Sequence, residues 1–238
     1  MLRRDFLKSV ATVAITAAGA RYLINDLNAA ELPLVRYKKA LLTAADGKPL
    51  RLKDIQNDVP YIFFYPFAAT PCLLLNLDLP VKELEMKTMA GDLYKAPGGT
   101  GPKRTIVAYS AICQHQLVYP TKEYSVINFY GKNDEKCMHG VQLIKCCAHN
   151  SIYDPKECGR VVDGPAERPL VMIALEYDAA KDELYAVGVA GKEPYTEFFS
   201  LYKSDLRKEY GSSAKAKAEV ESCKVIKLAD YSGNLIRC

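Results

Sequence analysis

Two stretches decide how this chain is read: residues 105–118, TIVAYSAICQHQLV, and residues 143–155, LIKCCAHNSIYDP. Each carries a short apolar, β-prone run into a cysteine, and a histidine follows within three positions. The boxes are Cys113-Gln114-His115 and Cys146-Cys147-Ala148-His149. Residues 105–110 read as a buried strand ending at the first box, and residues 141–146 as a strand ending at the second. Each tight loop then presents one thiolate and one imidazole. Two such loops facing each other bring two sulfurs and two nitrogens to one place.

Two chemistries take that ligand set. One is a tetrahedral zinc site with two cysteines and two histidines. The other is a [2Fe-2S] cluster in which one iron takes both cysteines and the other both histidines. Histidine is otherwise scarce: of three in the chain, only His139 lies outside the boxes, and it reads as a loop residue. A two-histidine-one-carboxylate iron site cannot be added from one histidine, which argues against a self-contained oxygenase.

The residues after His149 separate the two chemistries. Ser151, Tyr153 and Asp154 follow the second box, and Gly164-Pro165-Ala166 comes later. This order, over residues 105–187, resembles the Rieske iron–sulfur proteins. The resemblance implies one [2Fe-2S] cluster, with Cys113 and Cys146 on the buried iron and His115 and His149 on the outer iron. It implies that the Ser151 hydroxyl bonds a bridging sulfide, that the Tyr153 phenol bonds a ligating cysteine sulfur, and that residues 164–166 cover the cluster. Neutral imidazoles in place of two thiolates make the site less negative and easier to reduce. Such centres span about −150 to +300 mV, against about −400 mV for plant-type clusters. Hydrogen bonds to sulfur push the same way, so Ser151 and Tyr153 together point to the upper part of that range. Imidazole on iron also lets a proton accompany the electron, which suits a quinol donor.

The chain departs from the family pattern in places. High-potential members carry a second cysteine in each box, joined as a clamp; here those positions are Val118 and Ala148. Cys147 stands where proline is common, Asn150 replaces a glycine, and residues 119–145 are longer than is typical. Cys137, Cys158 or Cys147 are the candidates for a substitute bridge. Cys223 and Cys238 are expected to pair with each other in an oxidising compartment. Cys72 reads as a small buried apolar residue.

Beyond the boxes, the 238 residues are 49% apolar and 25% charged, which argues against disordered, collagen-like and polytopic membrane classes. The net charge of +4 is too weak for a nucleic-acid-binding face, and part of it comes from Arg3, Arg4, Lys8 and Arg21. Paired arginines before the mildly apolar residues 9–20 resemble a twin-arginine export signal. Ala18-Gly19-Ala20 or the Ala29-Ala30 region offers a cleavage point, and an uncleaved anchor over residues 6–24 is the competing reading. The predicted divisions are 1–30 (signal or anchor), 31–190 (Rieske [2Fe-2S] domain, its cluster-binding part about 105–170) and 191–238 (a C-terminal extension).

Between these, residues 37–42 and 49–52 read as a hairpin about Asp46-Gly47. Residues 60–67, 72–77, 126–130, 170–177 and 183–187 read as strands, and 91–104 as a Gly/Pro loop. Residues 195–210 and 214–222 are helix-prone, with Phe198, Phe199, Tyr202 and Leu206 on a face that docks on the body. The fold expected is all-β: a Rieske-like antiparallel sandwich or barrel with a cluster-binding subdomain, an N-terminal signal or anchor helix and a partly helical tail.

The function expected is that of an exported Rieske electron-transfer protein on the periplasmic side of the bacterial inner membrane. Its leading form is the iron–sulfur subunit of a quinol–cytochrome c reductase-type complex. There it would take electrons from quinol and pass them to a c-type cytochrome, among subunits of a membrane-associated redox complex. The alternative within the same chemistry is the electron-relay small subunit of a periplasmic oxidoreductase similar to arsenite oxidase. The alternative of another class is a structural zinc module. No nucleic-acid partner is expected.

Overall fold

The computed structural model describes residues 31–134 and 141–238. The expected export signal or anchor, Cys137 and His139 lie outside them. Among the described residues, no helix is long and apolar enough to cross a membrane.

The fold is all-β with a few short helices. In chain order the strands are β1 (Glu31–Leu32), β2 (Val35–Thr43), β3 (Tyr61–Phe64), β4 (Pro71–Asn76), β5 (Leu84–Lys87), β6 (Leu93–Ala96), β7 (Ile106–Ser110) and β8 (Ile127–Tyr130). They continue with β9 (Leu143–Cys146), β10 (Ser151–Asp154), β11 (Arg160–Asp163), β12 (Met172–Asp178) and β13 (Glu183–Ala190). Helices α1 (Tyr195–Leu201), α2 (Lys203–Tyr210) and α3 (Ser213–Ala216) follow, then β14 (Ser222–Lys224), β15 (Ile226–Lys227) and α4 (Leu228–Tyr231).

The main sheet has eight strands in the order β14-β2-β13-β12-β7-β4-β3-β15. Its two edge strands are joined through Val225 alone, so the sheet curls nearly into a barrel. Val225 donates to Thr43 on one edge, and Leu228 donates to Pro60 on the other. Strand closure of this kind leaves little unpaired edge. Residues 222–227, from the stretch read as an extension, therefore supply both edges.

The central strands are apolar along their length because both faces are covered. Successive side chains point to opposite faces. Tyr61, Phe63, Cys72, Leu74, Ile106 and Ala108 enter one core with Phe198, Phe199, Leu206 and Val225. Ile62, Leu73, Leu75, Val107 and Tyr109 enter a second core with Ile127, Ile144, Cys146 and Tyr153. The second core joins the main sheet to a four-stranded sheet, β11-β10-β9-β8. A three-stranded sheet, β1-β6-β5, is the third among the described residues.

Three sequence expectations change here. Residues 91–104 are not wholly loop: Leu93–Ala96 forms β6, paired with β5 and β1. The helix over 214–222 is cut to Ser213–Ala216, capped at Ser212 by its hydroxyl, which accepts from the Lys215 N–H. Beyond it the chain must extend to reach β14. The Cys223–Cys238 disulfide does not form: Cys223 is a buried free thiol inside the barrel, and Cys238 is joined to Cys147. The spacing of Cys223 and Cys238 carried no information about this, because β14 turns its cysteine inward.

Candidate metal centre

The first box leaves β7 and closes on itself. Cys113 donates its N–H to Val118, and Leu117 donates back to Cys113, both at 2.9 Å. Leu117 takes a left-handed backbone to do so (φ 57°). The second box is the hairpin between β9 and β10, in which Cys146 lies directly opposite Ser151. Asn150, at φ 61°, makes the turn, a conformation asparagine tolerates better than most residues. Cys146 is buried at the hairpin base and His149 is exposed at its tip.

The six residues expected to form the site come together. The imidazoles of His115 and His149 meet edge to face, with ring centroids 4.8 Å apart. Cys113 and Cys146 are buried next to each other. That contact draws the Cys113 thiol below its ordinary range and pushes the Cys146 thiol up. The backbone N–H groups of His115 and Gln116 also point at the Cys113 sulfur, and those of Ala148 and His149 at the Cys146 sulfur. Each loop thus aims amide donors at its own cysteine, which favours negative charge on sulfur.

Ser151 and Tyr153 share one face of β10. The Tyr153 hydroxyl lies 3.3 Å from Cys113 Sγ. Burial, then the neighbouring Cys113, pushes its acidity down, so the phenol keeps its proton. Within the two boxes and the strand that follows, three further polar atoms are buried without a protein partner: Gln114 Oε1, His115 Nδ1 and Ser151 Oγ. Orphaned polar atoms are costly in a folded interior. His115 is one of the paired imidazoles and Ser151 lies opposite Cys146, so the residues fit a group that takes a lone pair from imidazole and a hydrogen bond from the hydroxyl, as a [2Fe-2S] cluster does. A single ion is a poorer fit. Among the described residues, no three His, Cys, Asp or Glu side chains gather closely enough to hold one metal.

The 164–166 loop lies against the second box. Gly164 has φ 86°, and a Cβ there would come 2.2 Å from the Asn150 carbonyl oxygen and 2.7 Å from Ser151 Cα. Only glycine lets this loop approach so closely. Ala166 is buried beside it.

One feature of the site escaped the sequence reading, and of the bridge expected at Cys147 only the partner did. The Gln114 N–H donates to the Tyr153 hydroxyl at 3.2 Å; a backbone donor leaves no mark in a residue pattern. The Cys147–Cys238 disulfide, with Cα atoms 5.7 Å apart, joins residues whose proximity depends on the whole path of the tail. Cys158, the other bridge candidate among the described residues, is a buried free thiol that donates to Lys82.

Comparison with known proteins bears on the same residues. Residues 80–177 match the Rieske [2Fe-2S] domain family. The chain is 27% identical over 197 residues to the iodate reductase subunit IdrB of Denitromonas iodatirespirans, covering 80% of this chain and 82% of that one. It also matches the crystal structure of the soluble domain of Rieske protein II (soxF) from Sulfolobus acidocaldarius. That match has 25% identity and a TM-score of 0.43, over 64% of this chain and 78% of the other.

Proposed function

Starting from a chain that carries a Rieske [2Fe-2S] domain, binds one such cluster and transfers electrons, we propose that Cys113 and Cys146 hold the buried iron and that His115 and His149 hold the outer one. The pairing of thiol with thiol and imidazole with imidazole supports this division. When bound, the cluster supplies a one-electron carrier. The residues of the chain orient it and tune it. The amides of both loops and the Tyr153 hydroxyl donate toward the cysteine sulfurs, and Ser151 Oγ is free to donate to a sulfide. Exposed His149 is the short route for electrons to and from a partner.

The function supported best is an exported electron-relay subunit of an oxidoreductase complex, passing electrons between a large catalytic subunit and a c-type cytochrome. The carrying observation is the likeness to an iodate reductase subunit over most of both chains, well beyond the cluster domain. Iodate and arsenite are both small oxyanions, and the catalytic partner is taken to act on one of that class. Val118 and Ala148 in place of clamp cysteines agree with a relay rather than with a high-potential quinol oxidant. A quinol-oxidising subunit of a respiratory complex is the second reading. Protonatable imidazoles at an exposed tip favour it, since quinol gives up protons with its electrons. In either reading the twin arginines direct export to the periplasmic side of the membrane, by a route that carries folded, cofactor-loaded protein.

Isolation from the native host separates the two. A relay brings down one large redox subunit and is reduced or reoxidised when that subunit turns over an oxyanion. Rapid reduction by a quinol analogue, with b- and c-type haems co-isolated and no large subunit, overturns the relay reading. The ligand assignment is tested separately. Cys113→Ser and His149→Cys are each expected to abolish the native visible and EPR spectra, and an unchanged spectrum in either removes that residue from the ligand set.

A further inference from the structure

Residues 233–238 run beside the centre. They lie along β8, the open edge of the four-stranded sheet. Ser125 donates to Asn234 and Ile236 donates back to Ser125, both at 2.9 Å. Asn128 Nδ2 donates to the Ile236 carbonyl at 2.7 Å. The Cys238 N–H donates to Tyr130 Oη at 3.0 Å, and Lys145 Nζ reaches the Cys238 carbonyl at 3.1 Å. The Arg237 guanidinium covers the Tyr130 ring at 4.2 Å and pairs with Asp134. The segment then closes covalently on Cys147.

Cys147 stands between Cys146 and His149 in the second loop. Val118 beside the first box and Ala148 in the second carry no thiol. They line one cleft of about 360 Å³ with Tyr119, Tyr124 and Tyr202. The tip beyond Cys147 is exposed at His149 and Asn150. Exposed tips with few bonded neighbours open most readily, and a ligand is only as well placed as the groups behind it.

We propose that residues 233–238 are a positioning strap: through the Cys147–Cys238 bond they hold the second loop so that His149 stays in register with His115. The strap does from outside the two loops what a bridge between them would do across the cleft. This inference rests on the ligand assignment above.

The test uses the full-length holoprotein. Cys147→Ser and Cys238→Ser are each expected to broaden and shift the EPR signal of the reduced cluster. Bleaching under an iron chelator should be faster by about tenfold in each, and the double variant should be no worse than either alone. Adding Val118→Cys with Ala148→Cys to that double variant is expected to restore both line shape and lifetime, which general loss of stability would not allow. Cys223→Ser should behave as the parent. If the serine variants do not accumulate, the parent's disulfide is reduced with a phosphine and alkylated in the folded protein, and the same signals are read. The parent's line shape and bleaching rate in the cleaved forms overturn the inference alone, as do unlinked Cys147 and Cys238 in non-reducing peptide maps. A parent lacking the cluster spectrum overturns the ligand assignment first.

Discussion

The phenol of Tyr153 takes the Gln114 N–H at 3.2 Å and stands 3.3 Å from Cys113 Sγ. A phenol has one proton and two acceptor positions. With the amide occupying its oxygen, its own proton is left for the sulfur. The contact is therefore directed, and it is strongest when that sulfur is most negative, as in the reduced state.

Replacing that phenol by Tyr153→Phe is expected to lower the midpoint potential. A net hydrogen bond is worth about 1 kcal/mol. For one electron, with about 59 mV for each tenfold change, that is roughly 40 mV. Redox titration followed by EPR reads it. An unmoved potential would mean that the phenol does not reach the sulfur in the loaded protein.

Ser151→Ala carries two effects of opposite sign. Ser151 Oγ is buried without a protein partner, so its removal should leave the cluster-free protein as stable as the parent or more so, by up to about 1–3 kcal/mol. In the loaded protein the same change should lower the potential by a few tens of millivolts, on the scale of one hydrogen bond. Its effect should add to that of Tyr153→Phe, because the two hydroxyls address different acceptors. A destabilised apoprotein with an unchanged potential would make Ser151 an ordinary turn residue.

Gly164→Ala tests the covering loop. The substitution meets both a left-handed backbone and the Asn150 carbonyl, and strain of this kind costs about 1–3 kcal/mol. The thermal midpoint should fall by several degrees, at about 2–4 °C for each kcal/mol, and cluster loss should quicken. A variant that melts with the parent would show that the loop is free to move away.

Cys223 gives a pH signature. Burial pushes its thiol from an ordinary 9.0 up to about 12. The folded state therefore holds its proton where the unfolded chain releases it. Stability is full below about pH 9 and falls as the pH climbs toward 12. Urea midpoints measured from pH 8 to 11 should fall less steeply for Cys223→Ser, which keeps a donor for the Phe64 carbonyl that the thiol now uses. Equal slopes would mean that Cys223 is not a buried free thiol in solution.

Much of the site is local in sequence. Cys113 and His115 share one self-closed loop. Cys146, His149, Ser151 and Tyr153 share one hairpin, where opposite pairing and the two-residue alternation of a strand set each side chain's direction. Short-range geometry of this kind can be read from spacing, and the strands at 105–110 and 170–187 were legible for the same reason. What spacing could not show was which distant segments close the structure. β6 looked like loop because glycine and proline surround it, and its pairing with β5 outweighs them.

The amino-acid sequence by itself determined the two Cys/His loops and the all-β character, because each depends on neighbours a few residues away; the roles of the Ser151 and Tyr153 hydroxyls came from the resemblance those loops carry. Tertiary structure alone decided that Val225 links the two edges of a nearly closed sheet, that Cys223 turns inward, and that Cys238 reaches Cys147. These depend on the path of residues 191–238 across the barrel, and no local propensity encodes where a segment so far along the chain arrives.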